Sequence, residues 1–159
     1  MAAGERQTVG RRRNRDLGVL YIALPSDQEV RAWLEELELP IGDRTDGRMA
    51  TDAEIRAAVA ALAGYRAEYR GEGAVTVVDI SSIEKPQAGP WAVLAYAVAE
   101  DASEPHLTFR RGWAEVMVPL LHRLSTVTGP IVLVPDTGGD PLLVHARADP
   151  QALIASWSA

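Results

Sequence analysis

The chain has 159 residues, of which 47% are hydrophobic and 24% charged, and this is the size and composition of one globular domain with its own core. It contains no cysteine, which excludes disulfide frameworks, thiolate nucleophiles and cysteine-based metal sites. The apolar runs are too short for a membrane span, and the arginine-rich N-terminus lacks the apolar segment of a signal peptide, so we expect a cytoplasmic protein. The strong bias toward arginine and alanine is typical of a GC-rich bacterial genome.

The charge is unevenly distributed along the chain. Residues 1–16 contain five arginines and two acidic residues, whereas the rest of the chain carries 11 basic and 20 acidic residues, a net charge of −9. We predict a disordered basic arm over residues 1–17 and a single α+β domain over residues 18–159. A folded body of this sign repels nucleic-acid phosphates and attracts basic proteins.

Two helices are predicted after the first strand, residues 18–24, which is apolar on both faces. Ser26 and Glu29 have the spacing of a capping box at the start of the first helix. Thr51 and Glu54 repeat that spacing at the start of the second, after a turn-rich loop at residues 40–50. Apolar residues at helical spacing predict the two buried stripes, Val30, Trp33, Leu34 and Leu37 in the first helix and Ile55, Ala58, Val59 and Leu62 in the second.

The middle of the chain is rich in strand patterns. Residues 65–70 alternate between charged side chains and tyrosine or alanine, and a strand at 74–80 follows a glycine turn. After a loop at residues 81–90, residues 91–98 form a strand that is apolar on both faces. Residues 106–109 predict a short further strand.

The last part of the chain predicts a long helix, a hairpin and a short helix. The long helix runs from Trp113 to Gly129, and we expect Pro119 to kink it. Apolar residues at helical spacing predict its buried stripe, Trp113, Val116, Met117, Leu120, Leu121 and Leu124. Strands at 131–134 and 142–144 follow, and an aspartate–proline pair starts the last helix. The order β-α-α-β-β-β-β-α-β-β-α, with short turns between strands, predicts an α+β fold with a mostly antiparallel sheet of six or seven strands and four helices.

The segment PDTGGD, residues 135–140, raises a question of chemistry, because Asp136-Thr137-Gly138 matches the tripeptide of aspartic proteases. Such enzymes need two of these aspartates sharing a proton, and this chain has one. The composition of the segment favours a tight hairpin instead, with Gly138 or Gly139 at a positive φ angle.

No cofactor or metal site is predicted. The three histidines, His106, His122 and His145, lack the i, i+4 spacing of a helical zinc site. The chain has no phosphate-binding loop and no nucleophile elbow. Whether His145 meets Asp136 or Asp140 in space depends on the fold and stays open.

Three functions are compatible with the sequence. The first is a small acidic protein-binding domain, as in immunity-type proteins that neutralise a basic partner such as a toxin. The second is a small-molecule-binding protein or hydrolase-like enzyme with its site at loops 40–50, 81–90 and 135–141. The third is self-association through strands that are apolar on both faces. The absence of a complete catalytic set favours the first, and the candidate binding residues are Asp43, Asp46, Glu84, Trp91, Asp136 and Asp140.

Overall fold

The computed structural model describes residues 20–97 and 107–158 of the chain. These residues form seven strands and four helices in the predicted order. The strands are β1 (Tyr21–Pro25), β2 (Tyr65–Glu72), β3 (Val75–Ser82), β4 (Trp91–Ala97), β5 (Leu107–Gly112), β6 (Ile131–Pro135) and β7 (Leu142–Val144). The helices are α1 (Gln28–Glu36), α2 (Asp52–Ala60), α3 (Ala114–Thr128) and α4 (Pro150–Ser158). The predicted basic arm, residues 1–17, and His106 lie outside the described residues.

All seven strands belong to one sheet in the order β2-β3-β4-β5-β1-β6-β7, and every neighbouring pair is antiparallel. This confirms the predicted α+β class and the antiparallel sheet. The strands that are apolar on both faces, β1, β4 and β6, lie inside the sheet, and the edges are β2 and β7. Apolar character on both faces therefore reflects a central position, as in other buried strands, and those strands offer no free edge for self-association.

The core lies between one face of the sheet and helices α2, α3 and α4, chiefly α3. Alternate strand residues such as Ile80, Leu94 and Phe109 point to this side and are fully buried. Five of the six residues in the predicted stripe of α3 are buried, as expected for a helix with one apolar face, whereas Trp113 is the half-buried N-cap. Trp157 of α4 meets the ring of Tyr21 edge to face, at 5.4 Å between centroids. In the described residues no helix combines the length and apolar character needed to cross a bilayer.

The start of α1 differs from the prediction. Asp27, not Ser26, is the N-cap, and its carboxylate accepts a hydrogen bond from the amide of Val30 at 2.9 Å. Ser26 still belongs to the sheet region, because its amide donates to the carbonyl of Pro130 at 2.9 Å. The predicted stripe was also wrong in part, since the fully buried positions are Arg31 and Leu34, whereas Leu37 is 42% exposed.

The start of α2 confirms its predicted capping box and ties the helix to the sheet. Thr51 and Glu54 exchange the two expected hydrogen bonds. The Glu54 carboxylate also accepts hydrogen bonds from both terminal nitrogens of Arg48, at 2.9 and 2.7 Å. At the first helical position, the carboxylate of Asp52 accepts a hydrogen bond from the hydroxyl of Tyr96 on β4 at 2.6 Å, which holds this end of α2 against the sheet.

We expect the Glu54 ion pair to make stability depend on acid pH. The hydrogen bond from Arg48, then that from Thr51, lowers the pKa of Glu54 from an ordinary 4.5 to about 2. Its contribution is therefore present above pH 4.5 and is lost as pH falls toward 2. Glu54→Gln keeps an oxygen for the capping box but removes the charge, so its acid unfolding curve between pH 5 and 2 should be flatter than that of the wild type. Identical pH dependence of the two proteins would contradict this role.

The hairpin between β6 and β7 has the predicted glycine geometry. Gly138 has φ +85°, and a Cβ atom built there would meet no atom within 4 Å. Gly139 has no positive φ angle, and a Cβ there would touch only Pro135, at 3.4 Å. The two neighbouring glycines therefore differ in φ angle, whereas a Cβ atom would fit at either position without a steric clash.

Gly138→Ala should lower the free energy of unfolding by about 1 kcal/mol, because a residue with a Cβ atom is strained at this φ angle. Gly139→Ala is the matched control and should leave the free energy of unfolding unchanged within about 0.5 kcal/mol. Urea denaturation of the three proteins measures both effects. Equal destabilisation by the two substitutions would show that the φ angle of Gly138 is not the cause.

Candidate functional site: the acidic surface around the first helix

The three loops expected to share a site lie at two ends of the sheet. Loop 40–50 packs where β1 ends and β6 begins, because the amide of Gly47 donates to the carbonyl of Ser26 and that of Arg48 to the carbonyl of Thr128. Loops 81–90 and 135–141 leave the opposite end, and β5 and β1 separate the strands that carry them. The fold therefore does not bring the three loops together into one site.

Asp136 belongs to the backbone pairing of the sheet. Its amide donates to the carbonyl of Leu20 at 2.8 Å, and its carboxylate accepts from the amide of Leu20 at 3.2 Å. These bonds extend the pairing of β1 and β6 by one residue, which is a structural role. His145 follows the other end of β7, near Gly42, so the fold separates it from Asp136 and Asp140.

The remaining candidates at that end of the sheet are isolated from one another. Glu84 and Asp140 are exposed in separate loops. Trp91 is half-buried, and the guanidinium of Arg111 lies 5.6 Å from the centroid of its ring. Within the part of the chain that the structure describes, no group of three histidine, aspartate or glutamate side chains could hold a metal ion.

A groove of about 620 Å³ lies between α2, α3 and the start of α4. Two of its polar side chains already have partners. Glu54 is bound by Arg48, and the Nε2 atom of His122 lies 3.1 Å from the carbonyl of Ala146. The rest of its lining consists of the polar residues Arg123, Thr126 and Gln151 and of alanine, proline and aliphatic residues, so Glu54 and His122 are the only acidic or histidine side chains among the described residues that line it.

A buried arginine, Arg31, fixes the loop that follows α1. Its side chain is only 8% exposed, and one terminal nitrogen lies 2.8 Å from the carboxylate of Asp46 and 3.3 Å from the carbonyl of Thr45. Asp46 itself is largely exposed. A second pair joins the same loop to the segment after β7, since Arg147 contacts the carboxylate of Asp43 at 2.8 Å. Hydrogen bonds from Thr45, ahead of the charge of Arg147, lower the pKa of Asp43.

We call the exposed carboxylates of α1 and this loop the acidic surface. Glu29 and Glu36 lie two turns apart on the solvent face of the helix, opposite the buried Leu34. The only basic residues between positions 27 and 46 are Arg31 and Arg44, and Arg31 is buried. The surface consists of Asp27, Glu29, Glu35, Glu36, Glu38, Asp43 and Asp46, all of them exposed.

A shallow depression lies within the acidic surface at the start of α1. It has a volume of about 490 Å³ and is lined by Asp27, Gln28, Glu29, Ala32 and Asp46. Three carboxylates therefore surround a space in which the small side chain of Ala32 leaves room. The guanidinium of Arg31 is already bound to Asp46 and Thr45, and this holds Asp46 at the rim.

Sequence reasoning found part of this surface and missed the rest. Asp43 and Asp46 were among the candidate residues, and the structure places Asp46 against Arg31 of α1 and Asp43 against Arg147 after β7. Glu29 and Glu36 were not, although their seven-residue spacing and the run of acidic residues from 27 to 46 were visible. Comparison with protein-family models, curated proteins and solved structures found no match to this chain.

Replacing the buried arginine tests how the acidic loop is held. Arg31→Met keeps most of the apolar stem but removes the donors to Thr45 and Asp46, so we expect a loss of about 2 kcal/mol in the free energy of unfolding and faster amide exchange at Gly47. Arg44→Met is the control, because Arg44 is exposed and contacts Glu35 at 3.6 Å, and should cost less than about 0.5 kcal/mol. Unchanged exchange at Gly47 in Arg31→Met would show that other contacts hold the loop.

Proposed function

We propose that the protein is a small acidic domain that binds a basic protein partner through the acidic surface. The observation that carries this proposal is the depression at the start of α1, where Asp27, Glu29 and Asp46 surround an open space. A lysine or arginine side chain of the partner would fill that space and meet the three carboxylates. Bidentate hydrogen bonding to a carboxylate makes arginine the better match.

The electrostatics of the chain support this choice of partner. The net charge of residues 17–159 is −9, so a basic protein is attracted from a distance and a nucleic acid is repelled. Glu29 and Glu36 have no cation on their own helix that could neutralise them, since Arg31 is buried beneath Asp46. Leu37, which is exposed beside these charges, offers an apolar contact that charge alone would not supply.

The partner class that fits these features is a basic toxin, and the domain would then act as an immunity-type protein in the bacterial cytoplasm. A tight and rapidly formed complex is what such a role requires, and opposite net charges raise the association rate. The alternative, a small-molecule-binding protein or hydrolase-like enzyme, has less support, because loops 40–50, 81–90 and 135–141 lie at two ends of the sheet.

The test begins with capture of the partner from the source cell at low salt and its identification by mass spectrometry. Binding of the purified partner is then measured for Glu29→Lys/Glu36→Lys, which reverses two charges of the acidic surface. We expect the association rate constant of this variant to fall at least about tenfold, and that of the wild type to fall as salt rises, since exposed charges are screened.

The matched control is Glu84→Lys/Asp140→Lys, which changes the net charge by the same amount at the other end of the sheet. It should bind the partner nearly as well as the wild type. Equal losses in the two variants would mean that only net charge matters and that the acidic surface is not the site. A loss confined to the control would point instead to the loops at residues 81–90 and 135–141.

A further inference from the structure

The edge strand β2 has an outer side that no described strand covers. It is eight residues long, pairs only with β3 along its inner side, and stands at the end of the strand order. Such an edge presents free backbone groups that a further strand can bind. Protection of an edge usually comes from charged side chains, and β2 carries four, which alternate in sign: Arg66, Glu68, Arg70 and Glu72.

The hydrogen bonding of β2 shows which of its backbone amides and carbonyls point to the free edge of the sheet. The amide of Ile83 donates to the carbonyl of Gly64, so the even-numbered residues of β2 exchange their backbone hydrogen bonds with β3. The amides and carbonyls of the odd-numbered residues therefore point to the free edge. The amide of Tyr65 donates to the carbonyl of Leu62, which leaves Ala67, Tyr69 and Gly71 with outward groups.

We propose that β2 pairs antiparallel with β2 of a second copy of this chain, about a two-fold axis that passes beside Tyr69. In this register Tyr69 faces its own counterpart, and Ala67 of each copy faces Gly71 of the other. Each of these residue pairs would exchange two backbone hydrogen bonds, as antiparallel pairs of this kind do. The sheet would then continue from one copy into the next.

The charge pattern selects this register. With Tyr69 on the axis, Arg66 faces Glu72 of the second copy and Glu68 faces Arg70, so all four charged residues of each strand face an opposite charge. A register centred on Glu68 would be open to the same backbone groups, but it would place Glu68 against Glu68 and Arg66 against Arg70. Opposite charges on facing strands stabilise a pair and like charges destabilise it, so the Tyr69-centred register is favoured.

The face of β2 opposite its four charged side chains adds an aromatic contact at the two-fold axis. Tyr69 is 37% exposed, and the guanidinium of Arg56 lies over its ring at 4.3 Å. Arg56 is held there by Asp52, the same carboxylate that binds Tyr96. Pairing of the two strands would bring the two Tyr69 side chains together with an arginine on each, which buries rings that are exposed in the single copy.

This association is separate from the binding of a basic partner, because β2 and α1 are different parts of the surface. One added strand buries less area than a standard protein interface, so the dimer should form at about 100 µM and dissociate near 1 µM. Sedimentation velocity of the full chain across this range is the first measurement. A chain that remains monomeric at the upper concentration overturns the proposal.

A charge-swapped variant tests the register without changing net charge. Arg66→Glu/Glu68→Arg keeps the ion pair within β2 and leaves Arg70 and Glu72 with their partners Asp79 and Arg110. In the Tyr69-centred register it places like charges opposite each other at four positions, so dimerisation should weaken at least about tenfold. Thermal unfolding of the variant checks that the fold persists. Undiminished dimerisation of a folded variant overturns the proposal.

Cross-linking locates the axis, because the chain has no cysteine of its own. Tyr69→Cys places two thiols about 5.5 Å apart between their Cα atoms, within the range of a disulfide. Ala67→Cys is the control, since its two thiols would lie four residues apart along the paired strands and out of reach. Mild oxidation should cross-link the first variant at least about tenfold faster than the second. Equal rates, or a faster reaction at residue 67, would overturn the register.

Discussion

The antiparallel pairing of β1 with both β5 and β6 is the constraint on which the rest of the structure depends. It joins a four-stranded meander, β2 to β5, to the β6–β7 hairpin, and α3 packs against strands from both parts. The last residues of β1 also set where α1 begins, because Ser26 is bonded to Pro130 and the helix starts just beyond it. The position of the acidic surface therefore follows from the pairing of β1.

The charges of the molecule fall into two groups with different consequences. Arg48 with Glu54 and Arg56 with Asp52 are satisfied within the domain and hold the second helix in place. The carboxylates on the solvent face of α1 have no such partners on their own helix, and the one arginine beneath them is bound to the loop. Charges that are paired internally add little to the field outside the protein, so Glu29 and Glu36 of α1 contribute more to the negative potential than these ion pairs do.

The features that sequence reasoning predicted are those that depend on short stretches of chain. The stripe of α3, the capping box of Thr51 and Glu54, and the positive φ angle in the hairpin each follow from a few neighbouring residues. The burial of Arg31 does not, because its partners Thr45 and Asp46 lie in a loop whose position depends on Ser26 and Thr128. The N-cap of α1 was wrongly predicted as Ser26 because the outcome again depends on a distant residue. Ser26 and Asp27 are both good capping residues, and the hydrogen bond from the amide of Ser26 to Pro130 leaves Asp27 as the cap.

The placement of the loops was the largest gap, and its cause is the strand order. Local patterns give the number and sequence of strands, but they do not say that β1 inserts between β5 and β6. That insertion puts loop 40–50 at one end of the sheet and the β6–β7 hairpin at the other. The sequence therefore predicts which loops are polar and exposed, but the topology of the sheet decides which of those loops lie next to each other.

The central position of β1 also affects the order in which the protein can be assembled during synthesis. β1 is the first of the described strands to leave the ribosome, yet its partners come much later, and Leu20 and Asp136, which extend the β1–β6 pairing, are 116 residues apart. Until β6 has emerged, a strand that is apolar on both faces remains without its second neighbour. Long-range pairing of this kind slows folding and leaves the apolar side chains and unpaired backbone groups of β1 open to unwanted contacts with other chains until β6 has been made.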